Sequence, residues 1–299
     1  MKKYLIYIFI ALLLASCEDV VDIDLSETES KLVVDGLLRV DKEQEFIDVR
    51  IGLKASTSFF DENLPVQAES VMISYGQRNT EGNFDSLSSS SLVEEAPGSG
   101  IYVPDPNSSS DQRIPTSAAE RGTIFILEIT FQDTYYFAQT EYAPTVPLDN
   151  LEQGDEVLFD EEQTEIIVTF TDNGQEDNFY LFDFMFGEFQ TVEDEFFQGQ
   201  QFEFSFFYDD KTKPGDEITV SILGATQEFF NYMDLVLQQT GNGNSGGPFQ
   251  TPVATVRGNV FDVTGLGDIT TLDNVELPND YAFGYFAVVQ EYSRTITIE

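Results

Sequence analysis

The 299-residue chain contains no histidine and no tryptophan, and Cys17 is its one cysteine. Without an imidazole or a second thiol, the sequence excludes Ser-His-Asp and Cys-His catalysis, His-ligated zinc, haem sites and thiolate clusters. A disulfide within the chain is impossible as well. Carboxylate catalysis and the binding of hard cations through oxygen ligands remain open.

Basic residues are also scarce. The chain has 14 Lys and Arg residues against 54 Asp and Glu, which gives a formal net charge of −40. Nucleic acids and anionic lipid surfaces are bound through basic patches, so this balance argues against both as partners. The acidic residues are spread among apolar ones, and 41% of the chain is hydrophobic. The composition therefore favours a folded, acidic body over a disordered one.

Long apolar runs are absent except at the N-terminus. Two lysines precede 12 consecutive apolar residues, 4–15, a length that fits the core of a signal peptide but is too short to span a bilayer. Leu14-Ala15-Ser16-Cys17 then resembles the bacterial lipobox, in which the cysteine is acylated and becomes the first mature residue. We therefore predict a signal peptide over 1–16, lipidation at Cys17 and an acidic tether over 17–30. Several acyl chains would anchor the body stably.

Beyond the tether, short runs of β-forming residues alternate with turn signals. They predict a mainly β fold, with an Ig-like β-sandwich over 31–146 followed by a second β-rich domain over 147–299. The predicted strands are 31–40, 45–53, 69–75, 123–131, 135–142, 164–171, 178–187, 201–208 and 256–263, with a closing hairpin over 282–298. The Ser- and Pro-rich segment Ser86–Ala119 is interpreted as a long exposed connection.

One helix is predicted over residues 227–239. Thr226 can cap its N-terminus, Glu228 lies in its first turn and Gly241 follows its end. Apolar residues at helical spacing would pack one face against a sheet.

Phenylalanine is concentrated in residues 179–207, which contain 11 of the 27. At the two-residue period of a strand, alternate phenylalanines share a face. The two sets are Phe182, Phe184 and Phe186, and Phe202, Phe204 and Phe206. We favour a core between two sheets packed face to face, and an aromatic platform for a ligand is the alternative.

Several motifs suggest chemistry but lack its context. Residues 241–246 match G-x-G-x-x-G, yet a predicted helix precedes them instead of a strand, and 243–247 match G-x-S-x-G without a histidine to activate the serine. The acidic groups at 155–162 and around Asp209-Asp210 are interpreted as solvated turns, with calcium binding left open. No catalytic residue, metal site or cofactor is assigned, and the protein is predicted not to be an enzyme.

Binding is instead expected in loops carried by the β scaffold, in the two long polar segments Ser86–Ala119 and 239–252. The Gly-rich segment 239–252 can approach a partner closely, and Phe249 within it has no periodic place in a core. Phe249 is therefore predicted to contact a partner.

A set of short motifs runs through the whole mature chain. The motifs lie at 17–25 (CEDVVDIDL), 31–36 (KLVVDG), 56–61 (STSFFD), 100–102 (GIY), 229–232 (FFNY), 247–249 (GPF), 258–260 (GNV) and 284–286 (GYF). With them the chain resembles a Bacteroidota lipoprotein family known as domain of unknown function 4249. This resemblance implies an outer-membrane lipoprotein, often encoded beside TonB-dependent transporters, and it brings no catalytic residues.

Glu18 and Asp19, directly after the cysteine, also resemble the surface-export signal of Bacteroidota lipoproteins. The expected location is thus the outer membrane, through the lipid anchor, facing the cell exterior. The expected function is an accessory binding subunit for a TonB-dependent transporter in nutrient capture. A structural or envelope-assembly lipoprotein without a small ligand is the alternative, and a carboxylate-based glycan hydrolase is less favoured.

Overall fold

The computed structural model describes residues 30–57, 64–84, 86–157, 163–208, 212–240, 256–266, 277 and 280–299. Within these ranges the chain forms sixteen strands and one α-helix, α1 (Gln227–Thr240), so the predicted mainly β fold with one helix is confirmed. The strands are β1 Leu32–Val40, β2 Ile51–Ala55, β3 Leu64–Pro65, β4 Ser70–Gln77, β5 Ser88–Glu94, β6 Ile101–Pro104, β7 Thr123–Phe131, β8 Thr134–Glu141, β9 Leu148–Gln153, β10 Thr164–Thr171, β11 Phe179–Asp183, β12 Phe189–Glu193, β13 Gln201–Tyr208, β14 Glu217–Ala225, β15 Val260–Asp262 and β16 Phe283–Thr297. No helix in the described ranges is long and apolar enough to cross a membrane.

The first group of strands forms a sheet that rolls around its core, in the order β16-β1-β2-β6-β5-β4-β7-β8-β15. The roll closes next to the end of β8, where Ala143 pairs with Val289 of β16. The Ala143 N–H donates to the carbonyl of Val288 at 3.0 Å, and the Gln290 N–H donates to that of Ala143 at 2.8 Å. Alternate residues of the strands, among them Leu38 and Phe125, fill the interior and are fully buried.

The hairpin between β7 and β8 illustrates how local sequence determines pairing. Strand β7 is buried along most of its length, and Gln132 and Asp133 connect it to β8 with φ of 52° and 60°. Positive φ at both central residues is the requirement of a type I′ turn, whose twist matches that of the paired strands. The two strands predicted over 123–131 and 135–142 are therefore present, and this turn joins them into an antiparallel hairpin.

The second group of strands packs in layers. Strands β12-β11-β14-β16 continue the large sheet, and the separate sheet β13-β10-β9 covers one of its faces. Helix α1 covers the other face, where Phe229 packs among Leu181, Leu223 and Ala287. Because side chains alternate along each strand, Tyr180 and Phe182 of β11 face the small sheet while Leu181 faces the helix.

Strand β16 belongs to both groups. Residues 283–290 run parallel to β1, and residues 291–297 run antiparallel to β14. The predicted closing hairpin over 282–298 is therefore wrong. Residues 285–297 contain no Gly, Pro or Asn that would favour a turn, so the strand continues unbroken. The division at residues 146 and 147 stays a prediction, with β9 beginning at Leu148.

The segment Ser86–Ala119 is not the exposed connection that its composition indicated. It contains β5 and β6, which pair with β4 and β2 inside the rolled sheet. Ser90 is 1% exposed, and its hydroxyl donates to the carbonyl of Gln112 at 2.5 Å. Ile114 and Ala119 are fully buried. Serines are compatible with a strand when their hydroxyls donate to a nearby acceptor, as Ser90 does. The serine-rich composition is more typical of a loop, which is why it predicted an exposed connection.

Candidate functional site

Two of the late motifs meet where the rolled sheet closes. The Asn259 side chain accepts a hydrogen bond from the Phe286 N–H at 2.8 Å and donates to the Phe286 carbonyl at 2.8 Å. Its amide nitrogen also lies 3.2 Å from the Gln139 carbonyl of β8. One asparagine therefore ties the start of β15 to β16 and β8, and it satisfies both backbone groups of a fully buried residue.

Glycines allow the backbones to approach at this point. A Cβ on Gly258 would lie 1.6 Å from the carbonyl oxygen of Gly284, and a Cβ on Gly284 would lie 1.8 Å from that of Val34. Gly284 also has a φ of +89°, which side chains rarely tolerate. Val34 belongs to the early motif over residues 31–36, so three of the family-like motifs share one contact.

Tyr285 extends this contact to a fourth motif. Its ring lies 5.0 Å from that of Phe229 and 4.8 Å from that of Tyr232, both on α1. Burial and the nearby Glu228 carboxylate raise the pKa of Tyr285, and burial and the Asp35 carboxylate raise that of Tyr232. Both phenols are therefore neutral at physiological pH and can act as hydrogen-bond donors.

A cleft of about 450 Å³ lies beside Tyr285, between β8, the start of β15 and the N-terminus of α1. Its walls combine apolar and aromatic surface with amides, hydroxyls and charges of both signs. The lining residues are Ile124, Gln139, Thr140, Glu141, Thr226, Glu228, Arg257, Gly258, Asn259, Phe261 and Tyr285. A few polar groups converging on a cleft of this size are typical of small-molecule sites.

The polar residues of the cleft are positioned by the surrounding elements. The Thr226 hydroxyl accepts from the Phe229 N–H at 3.2 Å and so caps α1, as the sequence predicted. Glu141, at the end of β8, accepts from the Gly122 N–H at 3.1 Å. The Arg257 guanidinium lies 5.1 Å from the ring centroid of Tyr281. The cleft can therefore bind polar ligands, while in the described ranges no three carboxylates come together as metal ligands.

The phenylalanine-rich strands form a core, as we favoured. Phe182 lies 5.0 Å from Phe204 across the two sheets, and Phe184 stacks on Phe206 at 3.9 Å. Phe186 does not share the strand face predicted for it with Phe182 and Phe184, because β11 ends at Asp183. A turn with positive φ at Met185 and Phe186 leaves the Phe186 side chain 54% exposed.

The sites assigned from the sequence lie outside the described residues. They comprise the signal peptide 1–16, Cys17, Glu18, Asp19 and Phe249, together with the motif stretch 241–247, Asp209-Asp210 and most of the 155–162 acidic group. Sequence reasoning did not assign the cleft residues Glu141, Glu228 and Arg257 a role in binding. Their one sequence signal was proximity to the family-like motifs, since the pairing that assembles them joins distant segments.

Comparisons with known proteins agree with the resemblance. The family profile described as "Domain of unknown function (DUF4249)" matches residues 18–295. No curated protein matches the sequence. Among solved structures, the crystal structure of red sea bream transglutaminase aligns with 67% of this chain and 29% of its own, at 9% identity and a TM-score of 0.21, a likeness too low to support an argument. The family profile covers nearly the whole chain, and the protein belongs to the DUF4249 family.

Proposed function

We propose that the protein is a lipid-anchored accessory binding subunit that captures a nutrient for a TonB-dependent transporter of the outer membrane. The observation that carries the binding role is the cleft at the junction of four motifs. The anchor rests on the lipobox ending at Cys17, and the outward orientation rests on Glu18 and Asp19.

The cleft suits capture because its walls are held rigidly. Asn259 fixes one wall through backbone hydrogen bonds, and Tyr285 fixes the other against α1. A preorganised site loses little conformational entropy when it binds a ligand. Donors such as Arg257 and acceptors such as Glu141 and Glu228 line the same space, so the cleft is suited to a polar nutrient, such as a short peptide or an oligosaccharide.

Copurification tests the partner. The full-length lipidated protein is isolated from outer membranes in a mild detergent, and its partners are identified by mass spectrometry. We expect a TonB-dependent transporter in amounts comparable to the bait. Envelope-assembly proteins in place of a transporter would instead support the structural alternative, and the capture proposal would fail.

Binding at the cleft is tested separately. Peptone peptides and plant-glycan oligosaccharides serve as probes, and their retention by the purified protein is measured with Arg257→Ala as the cleft variant. Arg50→Ala is the matched control, because Arg50 is exposed and pairs with Glu95 through two hydrogen bonds of 2.8 Å. Retention that is lost in the cleft variant and kept in the control supports the proposal. Equal retention in both variants would place binding elsewhere.

A further inference from the structure

Two loops interlock at one end of the aromatic core. The loop 172–178 connects β10 to β11, and the loop 194–200 connects β12 to β13. The Asp194 N–H donates to the carbonyl of Asn178 at 3.2 Å, and the Asp172 N–H donates to that of Gln200 at 3.0 Å. The backbones approach so closely that a Cβ on Gly174 would lie 2.7 Å from the Cα of Gly199.

Asp194 is the unusual residue of this loop pair. It is 4% exposed, and its Oδ2 atom is buried without a hydrogen-bond partner among the described residues. An ionised carboxylate in that position is costly unless a donor or a cation compensates it. In the described residues no group donates to Oδ2, so this oxygen is available to a cation.

Asp172 is a second buried carboxylate in the same place, 6% exposed. The Tyr180 hydroxyl donates to its Oδ1 and the Gly199 N–H donates to its Oδ2 at 2.7 Å. These two donors orient the carboxylate, as outer-shell partners orient metal ligands. Asp172 and Asp194 thus place two buried carboxylates on the two interlocked loops.

The side-chain amide of Asn178 and the backbone carbonyl of Asn173 lie at the same point. With its amide nitrogen turned inward, its side chain donates to the carbonyl of Asn173 at 2.9 Å and to Oδ1 of Asp172 at 3.1 Å. With its amide oxygen turned inward, that oxygen would lie 2.9 Å from the Asn173 carbonyl oxygen and 3.1 Å from Oδ1 of Asp172, and an ion about 2.4 Å from each oxygen can bridge such separations. The amide can therefore satisfy the site without a cation and become a ligand when one binds.

We propose that the loop pair binds one Ca²⁺ ion. The ligands are the carboxylates of Asp172 and Asp194, the side-chain oxygen of Asn178 and the backbone carbonyl of Asn173, with water completing the shell. Two carboxylates balance the ion's charge, and a mixed set of carboxylate, amide and carbonyl oxygens in irregular loops suits Ca²⁺ better than Mg²⁺, which demands a near-ideal octahedron. The site is independent of the proposed capture role.

The test uses the full-length protein, purified in detergent and stripped with EGTA. Thermal unfolding is followed while CaCl₂ or MgCl₂ is added at constant ionic strength, because the acidic surface binds any divalent cation weakly. We expect Ca²⁺ at 100 times its Kd to raise the unfolding midpoint by about 5 °C or more, and Mg²⁺ to have a much smaller effect. Equal effects of the two ions would overturn the proposal.

Asp194→Asn is the deciding variant. It should abolish the Ca²⁺-specific shift and reduce bound Ca²⁺ by one per chain in equilibrium dialysis. In EGTA at pH 7 it should be at least as stable as the wild type, because a buried charge has been removed. Retention of the full shift would refute the assignment.

Two further variants keep the test decisive. Asp149→Asn is the matched control, since Asp149 is an exposed carboxylate on β9 that accepts from Thr171 and Gln201, and it should leave the shift unchanged. If Asp194→Asn fails to fold, Asn178→Ser removes one ligand oxygen and retains both carboxylates. It should weaken Ca²⁺ binding at least tenfold, and unchanged affinity would refute the site.

Discussion

Replacing Asn259 with alanine tests whether closure of the rolled sheet depends on one side chain. Three hydrogen bonds are lost, two to Phe286 and one to Gln139. The important loss is at Phe286, whose side chain is fully buried and whose N–H and C=O both turn toward Asn259. An unsatisfied buried backbone group costs about 1–3 kcal/mol, so the free energy of unfolding should fall by about 2–5 kcal/mol.

Urea denaturation followed by tyrosine fluorescence measures this change. The control is Asn150→Ala, because Asn150 is exposed and its amide donates to the Glu152 side chain at 3.1 Å, a contact whose loss should cost no more than about 0.5 kcal/mol. Asn259→Asp keeps the acceptor and loses the donors, and it should be about as damaging as alanine. If Asn259→Ala were as stable as the control, the sheet would close without this asparagine and the rigid wall of the cleft would have another origin.

The remaining predictions concern close packing and the anchor. Gly284→Ala should lower the free energy of unfolding by about 3 kcal/mol or more, because its Cβ would overlap the backbone carbonyl of Val34. Gly82→Ala is the control, since Gly82 has nearly the same φ but nothing within 4 Å of its added Cβ, and it should cost about 1 kcal/mol. Equal losses for the two variants in urea titrations would show that the Cβ overlap at Gly284 is not what destabilises the protein. Phe182→Ala should lower the free energy of unfolding by about 3–5 kcal/mol, because it leaves a cavity in the core. The Phe186 side chain is 54% exposed, so Phe186→Ala should cost about 1 kcal/mol or less. A larger loss for Phe186→Ala than for Phe182→Ala in the same assay would refute the face-to-face core. Cys17→Ser should abolish incorporation of a palmitate analogue, and label retained by the variant would rule out lipidation at this residue.

Local pattern was sufficient for much of the fold. Alternation predicted β10 and β13 with the bounds that the structure shows, and capping residues predicted α1 to within one residue of its end. These signals are local because a strand or helix expresses its period within its own residues. The pattern failed where composition and structure diverge, as in the serine-rich β5, which is a strand because β4 and β6 flank it.

The candidate site could not be derived in the same way. The cleft joins the end of β8, the start of α1 and the residues before β15. Residues 141 and 226 are 85 positions apart in the sequence, and residues 226 and 257 are 31 apart. Their meeting depends on β16 running from one group of strands to the other, and a one-dimensional pattern does not specify which strand is its neighbour. Glycines 258 and 284 carried the clearest advance sign, because a position that requires glycine often marks a close approach of backbones.

The same residues therefore serve closure of the sheet and form the cleft, which changes how the family motifs are interpreted. Asn259 and Gly284 are needed for the backbone to close, so folding alone accounts for an asparagine and a glycine at these two positions. Glu141, Glu228 and Arg257 line the same cleft but lie outside this closure, and the backbone bond that Glu141 accepts comes from the exposed Gly122 N–H. A binding role should consequently be sought at these three charged residues, where substitution can change affinity while the scaffold stays intact.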